Sequence, residues 1–258
     1  MRITCLLENT SLRHDILPQH GLSLFIETQS HQILFDMGQT GLFAENAERL
    51  GVNLKKVDLA ILSHGHYDHG GGLPTFLSLN DHAPVYLSRH AFGDYYNGTE
   101  KYIGLDQSLK SHPRLIFTED QTILGDGMTL LSCNEKQRPH SFGSFGLTCR
   151  TEVGFEDDSF LHEQYLLIEE NGKRILISGC SHKGILDIVD WFTPDVLVGG
   201  FHLSKLPLAD QLAQIAHRLN EQKTTYYTCH CTGEEQYAFM KQRMEHLHYL
   251  SCGQTIFI

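Results

Sequence analysis

Short apolar runs with the length of strands dominate this chain, and helical spacing enters between them. Residues 2–7 and 22–28 read as two paired strands, and 32–35 as a third that closes on Asp36-Met37-Gly38. Leu42, Phe43, Ala47 and Leu50 fall at helical spacing and the run stops at Gly51, which predicts a helix over 42–50. The run 57–62 reads as a buried strand ending at a Ser-His-Gly turn. A short helix over 73–79, begun near Pro74, and strands over 85–88, 114–118 and 128–132 follow, with Gly125-Asp126-Gly127 as a turn. Residues 165–169 and 174–178 flank Asn171-Gly172, the signal of a two-residue hairpin. The period then alternates: helix 184–192, strand 196–200, helix 208–221, strand 224–228, helix 233–246 and strand 254–258. In the helix 208–221, Leu212, Ile215, Ala216 and Leu219 form one apolar stripe.

Two β-rich halves, each ending in helices and joined without a linker or repeat, imply a single domain over 1–258: an α+β, αββα four-layer sandwich of two mixed β-sheets flanked by helices. Residues 90–110 break the pattern, being aromatic and polar without clean periodicity. A long irregular segment in a compact domain suggests a lid insertion, placed around 90–112. Its Phe92, Tyr95, Tyr96 and Tyr102 suit either a lid over a flat aromatic substrate or local packing.

Composition narrows the partners. A formal net charge of −11 over 258 residues argues against a nucleic-acid partner, while a metal-made positive site would still attract a small anion. No apolar run approaches the ~20 residues that span a bilayer, and the start of the chain lacks a leader pattern. Seven cysteines without regular spacing suggest no disulfide framework. A cytoplasmic, reduced protein acting on a small molecule is the expectation, with the oligomeric state open.

Candidate chemistry concentrates in Ser63-His64-Gly65-His66-Tyr67-Asp68-His69-Gly70-Gly71-Gly72, where three histidines and an aspartate fall within six residues after a strand. In a tight loop His64 and His66 converge on one point while Asp68 and His69 turn toward a second. The glycines let the backbone leave without a clash. Imidazole nitrogen with carboxylate oxygen is a ligand set for zinc, or for iron or manganese. Asp36 reads as a turn residue or as a carboxylate that orients the metal loop. His20, in the polar connection 9–20, is either solvated or part of the site. Further ligands belong at strand ends, and Cys180 and His182 sit at such an end, as do His202 and His230. Cys229 and Cys231 alternate with His230 and are expected to point away from it.

HGHYDH resembles the HxHxDH signature of the metallo-β-lactamase fold, a family of mostly two-metal hydrolases. LFDMG, LSHGHYDHGGGL, ISGCSHKGI, GGFHL and HCTG together resemble the branch labelled 7,8-dihydropterin-6-yl-methyl-4-(β-D-ribofuranosyl)aminobenzene 5′-phosphate synthase. The resemblance runs from about Asp36 to Gly233 and implies two divalent cations. The first would be held by His64, His66 and His182, with His162 as the alternative third ligand. The second would be held by Asp68, His69 and His230. Cys180 stands where the broad family often has a bridging aspartate and is either a ligand or a bystander. Asp68 would also orient a water, and His202 would contact substrate or move a proton. The implied activity is a dinuclear metal-dependent hydrolase or transferase acting on a small phosphate-bearing, pterin-like heteroaromatic compound. A metal-bound sensing module and a di-iron redox protein are the competing expectations.

Overall fold

The computed structural model describes residues 1–258. In chain order its strands and helices are β1 Arg2–Leu7, β2 Ser23–Glu27, β3 Gln32–Phe35, α1 Leu42–Arg49, β4 Leu59–Ile61, α2 Tyr67–Gly70, α3 Leu73–Leu79, β5 Val85–Ser88, β6 Tyr95–Asn97, β7 Lys101–Tyr102, β8 Leu115–Thr118, β9 Gln121–Gly125 and β10 Met128–Leu131. There follow β11 Leu147–Thr151, β12 Gly154–Asp157, β13 Tyr165–Glu170, β14 Lys173–Ile177, α4 Ile185–Phe192, β15 Val196–Gly199, α5 Asp210–Asn220, β16 Thr225–Thr228, α6 Glu234–Lys241, β17 Leu247–Tyr249 and β18 Thr255–Phe257.

Two seven-stranded sheets form, in the orders β18-β1-β2-β3-β4-β5-β8 and β17-β16-β15-β14-β13-β10-β9. Each is antiparallel on one side and parallel on the other: β3, β4, β5 and β8 run parallel, as do β14, β15, β16 and β17. Alternation along the strands sorts the core into layers. Ile33, Phe35, Leu59 and Ile61 of the first sheet meet Ile175, Ile177, Val196 and Val198 of the second between the sheets. The opposite faces bury Leu34 and Ala60 against Phe43, Leu73 and Phe76 of α1 and α3, and Leu176, Leu197 and Tyr226 against α4, α5 and α6. Helix, sheet, sheet, helix is the expected four-layer order.

Several expectations are corrected. The segment around 90–112 contains the strands β6 and β7, which join β11 and β12 in a third, four-stranded antiparallel sheet. Its polar, short strands gave no periodic signal. Strand β9 carries little sequence signal, its alternation resting only on the half-buried Thr122 and Leu124. The helix expected over 233–246 ends at Lys241, and β17 follows it parallel to β16. The last strand leaves the second sheet for the first: β18 pairs with β1, Ile3 opposite Ile256. Asn171 and Gly172 do turn the β13–β14 hairpin, both with left-handed backbone (φ 53° and 74°).

Candidate metal centre

Parallel strands present their carboxyl ends to one edge, and side chains just beyond such ends converge there. Asp36 follows β3, His64 and His66 follow β4, Cys180 and His182 follow β14, His202 follows β15 and His230 follows β16. Leaving β4, the chain turns at Ser63-His64-Gly65 into the single turn of α2, which carries Asp68 and His69. It then passes tightly over the 37–40 loop. A Cβ on Gly72 would lie 2.2 Å from the Met37 carbonyl oxygen, so only glycine fits.

Asp36 is the pivot beneath this loop. Its carboxylate accepts the Ser63 N–H and hydroxyl, both at 2.7 Å, and His69 Nδ1–H at 2.6 Å. Because the Ser63 hydroxyl donates to Asp36, its oxygen is left to accept from His64 Nδ1 at 2.8 Å. One carboxylate therefore fixes two tautomers, leaving Nε2 of both His64 and His69 as bare lone pairs. His230 Nδ1 lies 2.8 Å from Asn9 Oδ1, which frees its Nε2 in the same way.

Those nitrogens face one another and the His182 ring. His69 Nε2 and His230 Nε2 are 3.2 Å apart, and His64 Nε2 and His182 Nε2 are 3.3 Å apart. Asp68 Oδ2 stands 3.4 Å from His230 Nε2 and 3.7 Å from His69 Nε2. Cys180 Sγ lies 3.2 Å from His69 Nε2. The donor atoms of His64, His66 and His182 lie within 4.8 Å of one another, as do those of His64, His69 and Cys180, and of His20, Asp68 and His230. His66 Nε2 and His182 Nδ1 are buried with no hydrogen-bond partner. Lone pairs packed against lone pairs repel, and buried unpaired nitrogens are costly. Cations placed among them would satisfy these donors, and the N, O and S set suits a divalent metal.

Electrostatics agree for two of the imidazoles, whereas for His69 burial is outweighed by the Asp36 and Asp68 carboxylates, which raise its pKa above the ordinary value. Burial, then the neighbouring rings, hold the His64 and His182 imidazoles well below their ordinary pKa, so both stay neutral. Burial alone would raise Asp68, but His69, His20 and His230 hold its carboxyl well below the usual range. Asp36, Ser181, His202 and His230 all take left-handed backbone, with φ from 51° to 60°. Strain of about 1–3 kcal/mol at each such residue persists where surroundings over-determine it, and such residues cluster at active sites.

Other residues behind the site were not legible in advance. Glu163 accepts the N–H of His182 at 2.7 Å and of Lys183 at 3.0 Å, so it moulds the turn that delivers His182. Phe160 stacks on the His182 ring, centroids 4.5 Å apart. His162, the alternative third ligand, is occupied elsewhere: its Nδ1 accepts the Gly65 N–H at 2.9 Å and its Nε2 meets Asp158 Oδ2 at 3.0 Å. His20 reaches Asp68 Oδ2 at 3.2 Å from an exposed position. The expectation that Cys231 points away is wrong. Residues 230–232 form a 3-10 turn, not a continued strand, so Cys231 shares the cavity with His230 while Cys229 enters the core.

A cavity of about 420 Å³ opens over the cluster, lined by Asp68, Cys180, His182, His202, His230 and Cys231. The 90–110 segment contributes Asn97, Lys101 and Ile103 to it. The four aromatic residues singled out there are absent from the wall. Phe92 lies in the core beside α1 and α3, Tyr95 packs on His162 with centroids 3.9 Å apart, and Tyr96 and Tyr102 pair edge to face. Local packing is the reading that holds for them.

A family model of the metallo-β-lactamase superfamily matches residues 17–216. The chain belongs to the metallo-β-lactamase superfamily. Within that superfamily, an uncharacterized protein of Methanocaldococcus jannaschii is 30% identical over 242 residues, covering 90% of each chain. The same organism's 7,8-dihydropterin-6-methyl-4-(β-D-ribofuranosyl)-aminobenzene-5′-phosphate synthase is 28% identical, over 92% of this chain and 90% of its own. A crystal structure described as a metal-dependent hydrolase of the β-lactamase superfamily superposes with a TM-score of 0.86 at 30% identity, covering 100% of this chain and 99% of that one. No helix of this metallo-β-lactamase-fold chain is long and apolar enough to cross a membrane.

Proposed function

We propose that this chain is a dinuclear metal-dependent hydrolase or transferase whose substrate is a small, phosphate-bearing heteroaromatic compound. The observation that carries the reading is the pair of adjoining donor sets, His64/His66/His182 and Asp68/His69/His230, whose donor atoms face one another beneath an open cavity. Zinc suits the nitrogen, carboxylate and neighbouring thiol best, with manganese or iron as alternatives. Two cations bound there would lower the pKa of a shared water and neutralise charge developing on a phosphoryl group.

The chain's own residues set up the rest. Asp36 holds His69 directly, and His64 through Ser63, in the tautomer that offers Nε2. Asp68, kept ionised by its histidine neighbours, is placed to orient a water beside His230. His202 stands over His182, ring centroids 4.2 Å apart, where it would pass a proton to a leaving group. Lys101 and Lys205 line the cavity and favour an anionic substrate. The segment around 90–112 would act as a cap, its Asn97, Lys101 and Ile103 touching the ligand. A cavity of this size suits a ligand of one or two rings. The 28% identical relative is named as a pterin-linked phosphate synthase, which supports that substrate class.

Hydrolysis of bis(p-nitrophenyl) phosphate by the purified protein tests the reaction class. Activity is expected to fall at least 100-fold in His66→Ala and on treatment with a chelator, and to return when metal is added back to the native chain only. Activity indifferent to both treatments would remove the metal mechanism. A thermal-shift screen of pterins, nucleotides and phosphoesters addresses the substrate.

A further inference from the structure

Beside the two donor sets lies a third cluster that neither uses in full: Cys180, His202 and Cys231, whose donor atoms all lie within 4.8 Å of one another. They come from the ends of three adjacent parallel strands, β14, β15 and β16, so the sheet itself brings them together. Both thiols are buried, and His202 Nδ1 is a buried nitrogen with no hydrogen-bond partner. The Cys231 sulfur is fitted into its place. It accepts the His202 N–H at 3.3 Å, and a Cβ on Gly200 would come within 2.4 Å of it. Gly200 thus leaves the space that the sulfur occupies. All three residues line the cavity, so an ion can enter and keep one coordination position open to solvent.

We propose that Cys180, Cys231 and His202 form an additional site for a thiophilic divalent cation such as zinc or cadmium, sharing the Cys180 sulfur with the neighbouring centre. Two thiolates and one imidazole with an open fourth position form a tetrahedral zinc set. Sulfur donors select against magnesium, calcium and manganese. The charge is tolerable because cysteines bind such a cation as thiolates, and two thiolates offset the added 2+. The site borders the proposed hydrolase centre, since it shares Cys180 with it and uses His202, the proposed proton donor, so its test reads metal content and not activity.

Metal titration of the reduced, chelator-stripped full-length protein with zinc, followed by desalting and elemental analysis, is the test. Three ions per chain are expected for the native protein, two for Cys231→Ser and two for His202→Asn. Cobalt loading provides an optical readout. Thiolate-to-cobalt charge-transfer absorption should weaken by about half in Cys231→Ser, and the third equivalent should be missing from the titration. X-ray absorption at the zinc edge of the native protein, with sulfur at ~2.3 Å, keeps the test independent of variant folding. Two ions per chain in the native protein, with a cobalt spectrum unchanged by Cys231→Ser, would overturn the third site and leave the dinuclear reading intact. A His64→Ala/His69→Ala double variant, which removes donors of the dinuclear centre only, should still take up one ion; binding of none would also overturn the third site.

Discussion

At the scale of single residues, the centre depends on groups that never touch the reacting atoms. Asp36 shows this most clearly, because one buried carboxylate receives three donors and decides which nitrogen two histidines expose. Asn is the informative replacement: it tolerates the left-handed backbone that Asp36 adopts (φ 60°), so the loop should still fold. Its amide has one acceptor oxygen where the carboxylate has two, so His69 loses its fixed tautomer. Asp36→Asn is expected to weaken metal binding about 10–100-fold, read by competition with a chromophoric chelator. Equal affinity in native and variant protein would mean that Asp36 is only a turn residue. Residues of this kind divide by how far their partners lie in sequence. His64, His66, Asp68 and His69 were legible because their spacing is itself the signal, and Asp36 because it closes a strand before a glycine. Glu163, Phe160 and Asp158 were not, since their meaning lies in contacts with residues that are near only after folding.

At the scale of elements, the turn after β14 is the least self-sufficient part of the site. Residues 179–183 carry Cys180 and His182, yet the polar groups of this buried turn are satisfied from outside it. Glu163 takes two backbone N–H groups and the Tyr165 hydroxyl, and Lys183, fully buried, donates to the Glu163 carbonyl and to Asn134. Burial lowers the Lys183 ammonium to about 8, against the pull of Glu163. Removing the Glu163 carboxylate leaves two N–H groups unpaired and a buried cation without its nearby counter-charge. Glu163→Ala is therefore expected to cost about 3–5 kcal/mol in urea unfolding. Adding Lys183→Met should recover part of that loss, because the uncompensated charge goes with it. A double variant whose loss equals the sum of the two single losses would argue that the pair is not coupled. Element reading from the chain worked where burial was periodic, as in α5 and the β13–β14 hairpin. It failed for β6, β7, β11 and β12, two short hairpins joined through β6 and β11, whose residues pair from about fifty positions apart.

At the scale of the whole molecule, the donors are divided between the two halves of the sandwich. His64, His66, Asp68 and His69 hang from the first sheet, and His182 and His230 from the second. The apolar seam between the sheets sets their separation, and the strand order places the parallel carboxyl ends on one edge. This layering was legible because alternation and run length are local properties of each strand. The return of β18 to the first sheet was not, because it is decided by pairing with β1 across the full length of the chain. Cations held between the sheets as proposed would bind the folded chain and find no such cluster once the halves separate. They should stabilise it by mass action, by about 4 kcal/mol when free metal exceeds the dissociation constant a thousandfold. For a chain of this size that corresponds to a melting temperature higher by on the order of 10 °C in metal than after chelation. His66→Ala should show a smaller gap, since it has fewer donors to lose, while a substitution on the outer helices such as Leu212→Ala should lower both curves by 2–5 kcal/mol and leave the gap unchanged. Differential scanning calorimetry with and without chelator separates these cases. An unaltered melting temperature in the native protein would mean that the inward-facing histidines are satisfied without a cation, against the repulsion their geometry implies.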